Sequence, residues 1–556
     1  MSEQDPRNPK KQKFLQGAAV LTAGAILVKV IGALYKIPMN RIIGTEGFGH
    51  FNMAYSIFNV LLTISTAGLP IALSRMISEA STLGNRRQIQ NIYRVSLRIF
   101  LIIGAVCSGF MLVFAPQLAR FMRDPDSVYA IAALAPSVLF LCIVSSFRGY
   151  FQGQQYMTPT AVSQVIEAVA KLVVGLGAVF VVLYGLHLGT PEAAGGAILG
   201  VTSGSVLATV YLVAVYRKHR IVLTPEEKQL PVTSSGETAK QLLKLAVPIT
   251  IGSAGLQIFN AIDSKIIVGR LQDALGLSSR AASSLFGTYS AAQTFYMLPP
   301  ALIVPLAISI IPTVTAALTM SNYREAQRTE ESAIRMTALI SLPCGAGLAV
   351  LASPIQQFAY GYGPDTLRIA GPLLVLLGVA VVFNCMVSVT NAILQAHGLV
   401  TVPIYTTLVG GLVNVVTDYV LIGLPGVGIY GAAIATIAYC AVIMFLNIAA
   451  MHHSLELPPR ILQQFVKPTV ATAAMSVGCY LSYEWVRQAV RHTALPHILI
   501  GTLPMLCGVA VAVVIYAALV YGMGMITWYD CQVLPKGALI ARILRVRRPG
   551  EEEEEL

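Results

Sequence analysis

The chain has 556 residues, 55% of them hydrophobic and 12% charged; soluble domains carry about 25% charged residues, so the composition describes an integral membrane protein. The formal net charge of +12 does not indicate nucleic acid, because the basic residues fall in short connections between apolar runs, where they set topology. Frequent glycine (46) and proline (29) with scattered aromatics suit packed helices rather than a β-barrel.

Crossing the hydrocarbon core takes about 20 apolar residues. Fourteen segments qualify: 14–37, 51–74, 95–115, 128–149, 160–184, 194–216, 243–268, 283–312, 336–353, 369–394, 403–422, 429–450, 466–484 and 497–521. The expected class is therefore an all-α integral membrane protein with fourteen transmembrane helices. Ahead of the first lies a basic tail, 1–13, with Arg7, Lys10, Lys11 and Lys13. It looks like a signal peptide start, but the apolar run continues to about Ile37 without a small-x-small cleavage site, which predicts a retained helix.

That first helix carries Lys29 at its middle. An ammonium group at bilayer depth costs at least ~2.5–3.5 kcal/mol, so it normally faces a watery cavity or a partner charge. No residue on its own helix neutralises it. It either meets Glu167 from the fifth helix or faces a cavity and an anionic cargo. Lys36 lies two turns further on, followed by Arg41, so the three form a candidate cationic track; snorkelling explains the outer two equally well. In the fifth helix, Glu167 and Lys171 are spaced i, i+4 in the favourable acid-first order, which predicts an ion pair on one helix face.

After the polar connection 217–242 the intramembrane charges change sign. Asp263 lies late in the seventh helix, Asp418 late in the eleventh, and Asn414 one turn before it. Thr436 and the backbone of Ala432 fall at a similar depth in the twelfth. Together they offer five hard oxygen ligands, suited to Na⁺ or to protonation; the alternative is that Lys265 or Arg270 neutralises Asp263. The tenth helix bears a polar stripe of Asn384, Ser388, Asn391 and Gln395, and the seventh has Gln257 and Asn260. Such stripes join helices by hydrogen bonds, or read sugar hydroxyls when they face a cavity. The eight cysteines show neither CxxC nor Cys/His metal spacing.

The predicted organisation is a tail (1–13), a six-helix lobe (14–216), a linker (217–242), a second six-helix lobe (243–450), two extra helices (466–521) and a C-terminal tail (522–556) with an amphipathic basic segment at 538–548 before a run of glutamates. Most of the 38 Lys and Arg fall on the side of the N-terminus, so the positive-inside rule places both termini in the cytoplasm. Leu69–Ser74 (LPIALS) recurs as Val304–Ser309 (VPLAIS), and Phe151–Gly153 (FQG) corresponds to Leu394–Ala396 (LQA). The lobes are thus expected to be a parallel repeat about an axis along the membrane normal, an arrangement that transporters use. No Walker A, HExxH or GxSxG motif occurs, so an enzyme is not expected and the energy for transport would come from an ion gradient, the membrane potential or the cargo gradient.

The segments KVIGALYKIPMNRIIGTEGFG (29–49), STAGLPIALSR (65–75) and RGYFQGQQYMTPTAVSQVIEAVAK (148–171) resemble the stage V sporulation protein B and lipid II flippase-like branch of the multidrug/oligosaccharidyl-lipid/polysaccharide flippase superfamily. The resemblance implies alternating-access flipping of an undecaprenyl-pyrophosphate-linked saccharide of the peptidoglycan-precursor class in the bacterial cytoplasmic membrane, for spore cortex or cell wall. It implies that Lys29 engages the pyrophosphate, that Glu167 and Lys171 occupy the family's helix-5 motif, and that Asp263, Asn414, Asp418, Ala432 and Thr436 form a Na⁺ site. One departure is informative. Where lipid II flippases carry arginines in helices 2 and 8, this chain has Leu62 or Thr63 and Gln293, so its cavity is less cationic. The implied partners are the lipid-linked saccharide and membrane lipids. The rival readings are a cation-coupled multidrug exporter and a non-transporting scaffold for wall-synthesis enzymes.

Overall fold

A computed structural model describes residues 14–490, 497–527 and 530; the expected basic segment at 538–548 and both terminal tails lie outside them. The described residues fold into helices, with no strand among them. The chain divides into two compact units, 1–287 and 288–556.

The first unit contains α1 (Phe14–Thr66), α2 (Leu69–Thr82), α3 (Arg86–Val113), α4 (Ala115–Phe121), α5 (Val128–Gly153), α6 (Thr158–Phe180), α7 (Thr190–Lys218) and α8 (Ser235–Asp273). The unit boundary falls inside α9 (Ser279–Tyr296). The second unit continues with α10 (Leu298–Thr319), α11 (Tyr323–Val350), α12 (Ala352–Tyr360), α13 (Pro364–Ala396), α14 (Val402–Ile422), α15 (Tyr430–Ser454), α16 (Ile461–Val490) and α17 (His497–Gly522). Proline marks many of these starts: α2, α6, α7, α10, α13 and α14 each carry one in their first turn. At that position the missing N–H has no intrahelical partner to lose.

Twelve helical stretches among the described residues are long and apolar enough to cross a membrane, rather than fourteen. Two features account for the difference. First, Leu27–Thr82 forms one stretch of 56 residues. The polar segment 38–50, expected to be a loop, is helical apart from Gly44, whose φ of 72° and ψ of −179° put a kink in α1. Glycine enters that region without a Cβ penalty. Second, α16 contains the expected span 466–484 but is not among the twelve.

Three boundaries also move. The expected span 283–312 is broken at Met297 into α9 and α10, because Pro299 and Pro300 restart the helix. The expected span 51–74 is interrupted at Ala67–Gly68. The 217–242 connection shortens to 219–234, since Ser234 caps α8 by accepting from the Glu237 backbone N–H at 3.2 Å. Of the repeated motifs, Phe151–Gly153 and Leu394–Ala396 both close their helices, whereas Leu69–Ser74 opens α2 and Val304–Ser309 lies inside α10.

The first unit's core at one end is aromatic, with Tyr93, Phe147, Tyr150 and Tyr216 in mutual ring contact between α3, α5 and α7. Although the sequence groups α8 with the C-terminal lobe, it packs along α1 in the first unit: Ser264 Oγ lies 3.0 Å from Ser56 Oγ, and Thr250 Oγ1 accepts from the Gly68 N–H at 3.2 Å. In the second unit Arg335 of α11 donates to Asp530, to Gln464 of α16 and to Thr527, tying the end of the described chain to the bundle.

Candidate functional site

Small residues on α7 set the position of α6. A Cβ added to Gly200 would stand 2.7 Å from the Lys171 carbonyl oxygen, and one on Gly204 would stand 2.8 Å from that of Glu167. With α7 pressed against this stretch of α6 backbone, the Glu167 and Lys171 side chains leave toward α5 and α1.

Their partners differ from the expected i, i+4 pair. Glu167 Oε2 lies 3.1 Å from Arg148 Nη2 on α5, and Arg148 Nε donates to Ser163 Oγ at 3.0 Å. Lys171 instead donates to the Tyr55 hydroxyl at 2.8 Å, and its Nζ sits 4.8 Å, 5.0 Å and 5.8 Å from the ring centroids of Tyr55, Tyr35 and Phe51. Ring faces attract a desolvated ammonium by up to about 2 kcal/mol. Tyr35 is fixed in turn by donating to the Ala197 carbonyl at 2.7 Å. The planar guanidinium of Arg148 on the neighbouring helix thus outcompetes the local lysine for Glu167.

Lys36, next to Tyr35, lies within the field of Lys171. Lys29 is exposed and forms no ion pair among the described residues. Its depth follows from two close approaches between α1 and α6: Gly24 against Ala161, and Tyr35 against Gly175. The helices run in the same sense, and interpolation puts Lys29 level with Glu167. Arg41 is exposed beyond this cluster. Arg148 and Lys171 thus act on Glu167, Lys36 lies close to Lys171, and Lys29 stands at the same level on α1, so the cations here outnumber the one carboxylate among the described residues. The arrangement has spare positive charge.

In the second unit Asp418 is buried, and the Asn414 amide donates to its Oδ2 at 2.8 Å. Close approaches of Gly431 to Ile422 and of Gly410 to Ile443 show that α14 and α15 run antiparallel, which sets Asp418 level with Thr436. Thr436 donates to the Ala432 carbonyl at 2.9 Å and lies 2.9 Å from the Tyr289 hydroxyl, to which Gln293 donates at 2.9 Å. A carboxylate, an amide, a hydroxyl and a carbonyl at one depth fit a small hard cation in type. Asp263 belongs to α8 of the first unit, and Lys265 places its Nζ over the Phe121 ring at 3.5 Å.

The stripe on α13 has divided roles. Asn391 accepts from Asn447 of α15 at 2.8 Å, and Asn447 also bonds Thr390 and Thr406, so Asn391 clasps helices together. Ser388 bonds back to the Asn384 carbonyl at 3.2 Å. Asn384 is half-buried and Gln395 exposed.

Arg148, Tyr35, Tyr55 and Tyr289 were missed in the sequence. Arg148 stands at the end of its expected span, on the side expected to be cytoplasmic, where an arginine reads as a topology signal. Phe51 and Tyr55 did carry a trace, an aromatic pair at i, i+4.

The pattern of the polysaccharide biosynthesis protein family matches residues 14–318, and that of the MatE family matches 248–420. Stage V sporulation protein B of Bacillus subtilis (strain 168) is 28% identical over 455 residues, covering 81% of this chain and 86% of that protein. The lipid II flippase MurJ of the same organism is 24% identical over 495 residues, covering 85% and 89%. Among solved structures, a lipid II flippase MurJ in an inward closed conformation superposes with a TM-score of 0.65 at 15% identity, covering 91% of this chain and 100% of that one.

Proposed function

This chain belongs to the polysaccharide biosynthesis protein family and is a membrane transporter, not an enzyme; on that premise we propose that it flips a polyprenyl-pyrophosphate-linked saccharide across the cytoplasmic membrane. The observation that carries the reading is the excess of cations around Glu167. Lys29, Lys36 and Lys171 supply charge for a pyrophosphate, and the Tyr35–Tyr55 rings hold one of those ammonium groups in place. Gln293, Asn384 and Gln395 are the proposed contacts for sugar hydroxyls. We take α1 as two arms about Gly44 and α16 as a crossing, a reading with fourteen crossings whose basic connections support cytoplasmic termini.

A Lys29→Gln variant should fold like the parent and flip a labelled lipid-linked precursor in proteoliposomes at least about tenfold more slowly, equivalent to ~1.4 kcal/mol. Unchanged flipping would remove Lys29 from the mechanism. A parent chain that moves no such lipid would remove the function, and a parent that flips it would exclude a mere scaffold.

The buried Asp418 and the oxygen donors at its depth support cation coupling, with Asn414, Ala432 and Thr436 as the other ligands. Bound Na⁺ would favour whichever conformation holds it more tightly. Sodium at a hundred times its dissociation constant should stabilise the parent by about 2.7 kcal/mol, read as a rise in thermal midpoint against choline. The rise should vanish in Asp418→Asn; equal responses from the two proteins would discard the site.

A further inference from the structure

Beyond the kink at Gly44, α1 carries Glu46 and His50, one turn apart on one face. The connection between α4 and α5 faces them. There Arg123 takes a positive φ of 62°, and a tight turn at Pro125–Ser127 follows Asp124, with Ser127 Oγ donating to the Asp124 carbonyl at 2.7 Å. This turn brings up Asp124 and Asp126.

His50 is fully buried, and its Nδ1 lies 2.7 Å from Asp124 Oδ2. An Nδ1–H donated to that carboxylate leaves the Nε2 lone pair on the opposite edge of the ring. Nε2 has no hydrogen-bond partner among the described residues, and it lies 3.7 Å from Glu46 Oε1. Ligand atoms of Glu46, His50 and Asp126 all lie within 4.8 Å of one another. A carboxylate gripping the far nitrogen of an imidazole is how metal-binding histidines are oriented and made more basic.

The charges agree. Glu46, Asp124 and Asp126 surround one imidazole, and Asp124 Oδ1 is buried without a hydrogen bond among the described residues. The nearest guanidinium, Arg280, is exposed and 3.8 Å from Glu46, while Arg123 is engaged by Asp273 at 3.1 Å.

We propose that Glu46, His50 and Asp126 form a binding site for a divalent first-row transition metal, zinc above all, with Asp124 orienting the imidazole. One nitrogen and two carboxylate oxygens leave a fourth position open to water. Zinc ligands at 2.0–2.2 Å stand about 3.4 Å apart, so side-chain rotations of the two half-buried carboxylates complete the site. The metal braces the kinked part of α1 against the α4–α5 connection. The proposal does not depend on the transport reading.

The test uses full-length protein in detergent, freed of any polyhistidine tag and stripped with a chelator, then titrated with zinc and analysed for bound metal after dialysis. One tightly held zinc per chain is expected, together with a raised thermal midpoint. His50→Gln should lose both. Because that substitution also breaks the bond to Asp124, Asp126→Asn and Glu46→Gln decide the matter: each keeps the His50–Asp124 pair and should weaken zinc at least tenfold while folding normally. Calcium and magnesium at equal concentration should not displace zinc. A parent that retains no zinc, or carboxamide variants that retain it as the parent does, would overturn the site.

Discussion

Arg148→Leu is expected to lower stability by about 3 kcal/mol, and adding Glu167→Gln should recover most of that loss. The ion pair bridges α5 and α6 at 3.1 Å, with the two side chains only 16% and 23% exposed. Removing one partner of a buried pair leaves the other charge uncompensated, at a cost of about 3–5 kcal/mol. Partial exposure puts this case at the lower end. Neutralising Glu167 as well removes the stranded charge, so the double variant should be more stable than the single one, a sign reversal that a pure packing effect would not give. Buried thiols such as Cys142, Cys385 and Cys440 provide the readout, because a thiol-reactive fluorophore labels them only on unfolding. If single and double variants melt together, the pair contributes nothing and the placement of Glu167 has another cause.

The choice of Arg148 marks the limit of what the sequence discloses. Hydrophobic length alone locates nearly every helix, since a membrane permits few other structures. It also shows which charges are out of place, and Lys29, Glu167, Lys171 and Asp418 all stand in helices as expected. Pairing is different. Spacing along one helix suggests Glu167 with Lys171, whereas the actual partners come from α5 and from α1, at distances set by glycines on α7 that carry no charge signal. The kink fails for a related reason. The polar stretch after Pro38 looks like a loop, yet it stays helical because Asn40, His50 and their neighbours are buried against protein rather than lipid. Likewise, the stripe with Asn391 reads equally as a clasp between helices or a contact for sugars, and only the position of Asn447, 56 residues away, reveals the clasp.

Bulky residues at Gly49, early in the distal arm of α1, and at Gly68, in the bend just past its end, should open opposite ends of the transporter. A Cβ on Gly49 would lie 2.1 Å from the Ser283 carbonyl oxygen, and one on Gly68 only 2.0 Å from that of Ala246; Gly287 makes the reciprocal approach to Thr45 at 1.8 Å. Backbone cannot yield as a flexible side chain does, so each contact tolerates only glycine. Nineteen residues separate positions 49 and 68, about 28 Å of helix at 1.5 Å per residue, close to the ~30 Å hydrocarbon core. α1 and the bend that follows it thus abut the start of α9 at one end and α8 at the other, and the proposed alternating access would require one seal to break at a time. Overpacking costs about 1–3 kcal/mol, enough to shift a conformational equilibrium roughly 5- to 150-fold. Gly49→Leu should therefore expose Ser283→Cys to an impermeant thiol reagent on one side of sealed vesicles. Gly68→Leu should expose Ala246→Cys on the other side, with the half-exposed Cys107, Cys344 and Cys507 replaced beforehand. Flipping should fall in both, because a transporter held open at either end cannot complete its cycle. Labelling from the same side in both variants, or undiminished flipping, would mean that these glycines serve packing alone and that the moving seam lies elsewhere.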